Sequence, residues 1–149
     1  MTPTQPRPRA LNAAFWLLVA GAVLLMAGGM LAITVGYDLL RQALPASYSD
    51  QAVHQLLIFR RGAGVVCLLA GAGLAFLIGR ARSSGDVRFR RATLGLGLTI
   101  IVLVGLLQVF VNIGLVALLS VLPIVVGTLL LSRPAVAGWF DADAADSDV

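Results

Sequence analysis

From Thr93 to Ser132 the chain runs for about forty residues without one charged side chain, and this stretch restricts the fold more than any other. Wound as a single helix at 1.5 Å per residue it would be roughly 60 Å long, twice the hydrocarbon thickness of a bilayer. It must therefore double back. Asn112-Ile113-Gly114 is the natural place, because Asn and Gly are the most turn-prone neighbours in the run and a cut there leaves two nearly equal halves. A cut at Pro123 would leave the last piece too short to cross. The sequence thus predicts a third membrane span over 93–111, a tight outer turn over 112–114 and a fourth span over 115–132, kinked at Pro123.

Two earlier runs have the same character. Residues 13–36 carry no charge and are long enough to cross with some tilt. The preceding segment 1–12, with Pro3, Pro6, Pro8, Arg7 and Arg9, offers no folding core and is expected to be disordered. A basic lead before an apolar run also describes a signal peptide. This run, however, exceeds the usual apolar region of about 7 to 15 residues and no clear Ala-x-Ala site follows, so it is expected to stay as a signal anchor. Residues 62–79 form the second span. Between these two spans lies the only sizeable polar connection, 37–61. There Tyr37, Leu40 and Leu44 stand at helical spacing, Pro45 stops the turn, Ser49 or Asp50 can cap a new helix, and Val53, Leu56 and Leu57 share its face.

Charge gives the direction. The loop 80–92 holds Arg80, Arg82, Arg88, Arg90 and Arg91 against Asp86 alone, and basic residues flanking spans collect on the cytoplasmic side. With Arg7, Arg9 and Arg133 the inner face then carries eight arginines. The outer face carries three, Arg41, Arg60 and Arg61, the last two tolerable at a span's edge when their side chains snorkel to the headgroups. Both termini fall inside. In the tail 133–149, Trp139 and Phe140 suit an interfacial anchor, and Asp141, Asp143, Asp146 and Asp148 form an acidic end expected to be disordered.

Composition agrees. Only 12% of the 149 residues are charged, 59% are apolar and the mean hydropathy is +0.95, whereas a water-soluble domain carries about 25% charged residues. A formal charge of +4 would suit a nucleic-acid binder, but these arginines flank apolar spans and are not interleaved with aromatics on a soluble surface, so no nucleic acid is expected as partner. The expected fold is all-α: a polytopic membrane four-helix bundle, N-in and C-in, of two helical hairpins joined by an Arg-rich cytoplasmic loop.

Small residues mark the expected packing faces. In the second span Ala63, Cys67, Gly71, Ala75 and Gly79 recur at every fourth position, and a matching groove lies on the first span at Gly28, Ala32 and Gly36, with Gly21 one heptad before Gly28. Such ridges let helix backbones approach closely where lipid supplies no hydrophobic drive, so the second span is expected to be the packing centre. Gln108 and Asn112, one helical turn apart, admit two readings. They are either a polar filter or substrate contact facing a cavity, or a turn cap with an interhelical bond worth about 0.6 kcal/mol.

The arginine loop also admits two compatible readings. It is a topology device, and it is a patch for anionic lipid headgroups at about 1 kcal/mol per arginine. The tail aspartates either clamp that loop or stay solvated and screened. His54, the sole histidine, is a pH-responsive group or a solvated helix position, and the lone Cys67 can form no intrachain disulfide and suits packing. The spans contain no Asp, Glu, His, Lys or Arg. Acid–base or metal chemistry would fall to Asp38, Asp50 and His54, which have no recognisable spacing, so neither catalytic residues nor a metal or cofactor are expected.

Several features in order form a pattern: Ala14-Phe15-Trp16-Leu17, Gly28-Gly29, Asp38-Leu39-Leu40-Arg41, Pro45 with Ser49, the basic loop, and Leu131-Ser132-Arg133-Pro134 with Trp139-Phe140. Over most of its length the chain resembles small uncharacterised four-span membrane proteins of high-GC Gram-positive bacteria. That resemblance implies the four-span fold and residence in the bacterial plasma membrane, and carries no catalytic residue. The expected role is a non-enzymatic scaffold or accessory subunit that packs with other membrane proteins, or with itself, through small-residue helix faces. The rival is a subunit of a minimal transporter or channel with Gln108 and Asn112 at a polar site.

Overall fold

Helices account for nearly all of the described residues, 9–84, 86–112 and 114–147 of this computed structural model, whose side chains are described as far as Asp141. Four stretches are long and apolar enough to cross a membrane: α1 (Arg9–Thr34), α3 (Asp50–Ser84), α4 (Val87–Val111), and Leu115–Ser132, which is made of α5 (Leu115–Leu119) and α6 (Val121–Ser132). Two shorter helices lie outside them, α2 (Tyr37–Ala43) and α7 (Pro134–Ser147). No strand occurs among the described residues.

The four long stretches close a ring. α1 packs along α3, α3 along α4, α4 against α6, and α6 returns to α1, which α5 also touches. Leu18, Leu25, Leu74, Ile100, Val104 and Ile124 fill the centre and are fully buried. The outside is apolar too: Leu69, Phe76, Leu98, Leu122 and Leu129 are all exposed. A helix that is apolar on every side suits lipid on one side and a protein core on the other.

α3 is 35 residues long, about 52 Å at 1.5 Å per residue. It starts after Pro45 has ended α2, with the Ser49 hydroxyl accepting from the Ala52 amide at 3.3 Å, and it continues through the second apolar run. α2 folds back on its first turns, and Leu40 is buried against Val53 and Leu57.

Three expectations at the ends of the spans are corrected. The stretch 80–92 is not an open loop. α3 carries Arg80 and Arg82 as far as Ser84, and α4 takes up Arg88, Arg90 and Arg91 from Val87, with the Asp86 carboxylate accepting from the Arg88 amide at 2.9 Å as its cap; Gly85 lies outside the described residues. Arginine is a good helix former, so α3 and α4 run on through the basic residues and the break between them falls after Ser84 and before Val87. The tail is not disordered up to Ser147. α7 has Pro134 at its first position, alanines along its length, and Val136 and Phe140 one turn apart on a buried face. Residues 9–12, expected with the disordered lead, form the start of α1 with Leu11 buried; residues 1–8 and 148–149, Asp148 included, lie outside the described residues.

At the other turn α4 ends on Asn112, whose φ of 49° is left-handed, and the chain resumes at Gly114 with φ 106°, a conformation that favours glycine; Ile113 lies outside the described residues. In the fourth span the helix is interrupted at Ser120, one turn before Pro123, since a proline removes its own amide and crowds the carbonyl four residues back.

Candidate functional site

Among the described glycines, the tightest contacts with the backbone of another helix join α1 to α3. A Cβ built on Gly64 would sit 2.6 Å from the Gly29 carbonyl oxygen, and one built on Gly29 would sit 2.6 Å from the Gly64 carbonyl oxygen. Ala63 and Cys67 are buried along this contact, Gly71 faces Met26 and the Ala22 carbonyl, and Ala32 meets Gly64. On its other side α1 receives the fourth span: Gly28 lies against the Ala117 backbone, Gly21 against Ile124, and Gly127 against Leu18. Clasped on two sides, α1 shares with α3 the packing centre that was expected at the second span.

Some of the expected packing residues fall elsewhere. A Cβ built on Gly79 or Gly36 would meet nothing within 4 Å, Ala75 is half-buried, and Gly28 meets the fourth span where the second was expected. The reason is the helical period. Every fourth position turns by roughly 400°, so the series drifts about 40° at each step and about 160° between Ala63 and Gly79. Gly29 and Gly64, which carry the contact, stand one residue off the marked series. The Gly28-Gly29 pair was the available signal, because neighbours on a helix point about 100° apart and two adjacent glycines therefore serve two different partners.

Gln108 and Asn112 are brought together. The Gln108 side-chain amide donates to the Asn112 side-chain oxygen at 3.2 Å, and the Asn112 backbone N–H reaches the Gln108 carbonyl. Asn112 is exposed, and Gln108 keeps a covered Oε1 without a partner. Neither residue lines the cavity that opens at this end of the bundle.

That cavity, of about 320 Å³, lies between α1, α2, α3 and the start of α5. Leu31, Val35 and Leu39 form one wall, Leu115 and Val116 the other, and Arg60 enters from α3. Its Nη2 lies 3.9 Å from where a Cβ on Gly114 would be, and its Nε is covered without a hydrogen-bond partner. Sequence reasoning treated Arg60 and Arg61 as equivalent snorkelling residues. Only the fold separates them, since Arg61 is exposed and Arg60 half-buried.

Beyond the cavity the α2–α3 corner is polar. Asp50 accepts from the Tyr37 hydroxyl at 3.0 Å and pairs with Arg41 at 3.6 Å, while Arg41 also donates to the Tyr48 carbonyl at 3.1 Å. The His54 ring stacks on Tyr37 at 4.7 Å. Partial desolvation, then the hydrogen bond to Asp50, hold the Tyr37 phenol above its ordinary range. Asp50 and His54 therefore serve as partners of Tyr37, Asp38 is exposed, and among the described residues no three His, Cys or acidic side chains gather to hold a metal.

At the arginine-rich end the five residues proposed for lipid do not behave alike. Arg82, Arg88 and Arg91 are exposed and Arg80 lies over the Phe89 ring at 5.8 Å. Arg90 turns inward, donating from Nε to the Leu131 carbonyl at 3.3 Å and lying 6.0 Å from the Phe140 ring centre. Phe140 is fully buried, with Trp139 edge-on to it at 5.0 Å, so this aromatic pair fixes α7 to the bundle. Asp141 is exposed, and the side chains of Asp143 and Asp146 lie outside the described residues. No family model, no curated protein and no solved structure matches the chain.

Proposed function

We propose that the chain is a non-enzymatic scaffold or accessory subunit of the bacterial plasma membrane, with both termini cytoplasmic, that binds other membrane proteins or a second copy of itself through a small-residue helix face. The observation behind this reading is the outward side of α4. Of an apolar eighteen-residue stretch of that helix 17% is buried, the lowest share among the four long stretches, against 39% in α1. A Cβ built on Gly95 or Gly105 would meet nothing within 4 Å, and Thr99 and Val102 between them are exposed. Gly95 and Thr99 repeat the small-xxx-small spacing that lets a neighbouring helix approach in lipid.

The eight arginines at one face against three at the other support the orientation, and the exposed Arg82, Arg88 and Arg91 give that face a site for anionic headgroups. A transporter or channel subunit, the rival reading, asks Gln108 and Asn112 to line a polar path; their side chains bond to each other on α4 and lie outside the described cavity. In-cell crosslinking followed by pull-down tests the proposal. The wild-type chain and G79L should retain one stoichiometric membrane partner, and the double variant G95L/G105L should lose it; a crosslinked product equally strong in all three, or none in any, overturns the reading.

A further inference from the structure

We infer that the cavity at Arg60 is a binding site for one anionic phospholipid, whose phosphodiester headgroup sits on the Arg60 guanidinium and whose acyl chain lies across Leu31, Leu39 and Leu115. A guanidinium partly withdrawn from water and left without a counter-charge is costly, and a half-buried arginine normally finds an acidic partner. Among the described residues Arg60 has none. The nearest acidic residue in its own helix, Asp50, is already held by Tyr37 and Arg41, and the covered Nε of Arg60 has no acceptor.

Its position fits a lipid. Arg60 stands two residues before the second apolar run, at the depth where headgroups lie, and the planar guanidinium fork matches phosphate oxygens in pairs. The walls fit the rest of the molecule. Leu31, Leu39 and Leu115 are 55%, 67% and 70% exposed, so a chain anchored at Arg60 meets apolar surface open to the bilayer and needs no enclosed pocket. A soluble anion would use the arginine alone. The leucine walls favour an occupant with both a phosphate and a hydrocarbon tail.

Native mass spectrometry of the detergent-purified chain with added phosphatidylglycerol tests this. One lipid should survive activation on the wild type and on R61Q, and binding should weaken about tenfold on R60Q, the scale of a lost charge-assisted hydrogen bond. A photoreactive phosphatidylglycerol should label the wild-type chain at the segments holding Leu31, Leu39 or Leu115, a readout that does not depend on R60Q folding. Equal retention by R60Q and wild type, or label confined to the Arg80–Arg91 end, overturns the site. Displacement of the retained lipid by inorganic phosphate or glycerol phosphate overturns the lipid assignment in favour of a soluble anion.

Discussion

At Gly64 the contact between α1 and α3 leaves room for a hydrogen atom and nothing larger, since a Cβ there would stand 2.6 Å from a backbone oxygen that cannot rotate away. G64L should therefore push the two helices apart and cost about 1–3 kcal/mol, the usual range for overpacking, read as a lower midpoint in thermal or detergent denaturation. G79L, facing open space, should leave the midpoint where it is. Equal loss in both variants would falsify the assignment of this contact. The kind of residue at the interface was legible in the sequence, because glycine and alanine recur in both spans; the phase was not. A spacing of four is close to the helical period without equalling it, and which of two adjacent positions faces the neighbour is settled only when the neighbour is in place. Arg60 was illegible for a related reason: its separation from Arg61 is a matter of direction, and direction around a helix has no composition.

The helices as units were legible wherever apolar runs and stop signals coincided. Pro45 and Ser49 mark the gap between α2 and α3, and Asn112 ends α4. They were less legible where charge was taken as a sign of loop. Both the arginine stretch and the tail as far as Ser147 are largely helical, because helix propensity and a buried face outweigh the presence of charge. α7 is the clearest case, and Phe140 is its largest fully buried side chain. F140A should remove a fully buried ring at a cost of about 3 kcal/mol, enough to release the helix while the four spans hold. Hydrogen exchange would register this as loss of protection confined to residues after Ser132. Unchanged protection there would show that the rest of the buried face, Val136 included, suffices without it.

At the scale of the whole molecule, the doubling back of 93–132 into two stretches followed from length, because about forty uncharged residues wound as one helix would be roughly twice as long as a hydrocarbon layer is thick; the closing contact of α6 on α1 did not. Orientation rests on the arginines. A cytoplasm-reporting fusion at Ser84 and an exterior-reporting fusion at Gly114 should both be active, and replacing Arg80, Arg82, Arg88 and Arg91 with Gln should scramble the two signals. Reporters of the opposite preference at either position would reverse the proposed direction. α3 adds a mechanical property to this arrangement. It runs from the Tyr37–Asp50 corner to the arginine-dense end as one rod longer than the hydrocarbon layer is thick. A displacement of the Tyr37–Asp50 corner, whether by a ligand or by a change in bilayer thickness, would act on one end of a single continuous helix whose other end holds Arg80 and Arg82.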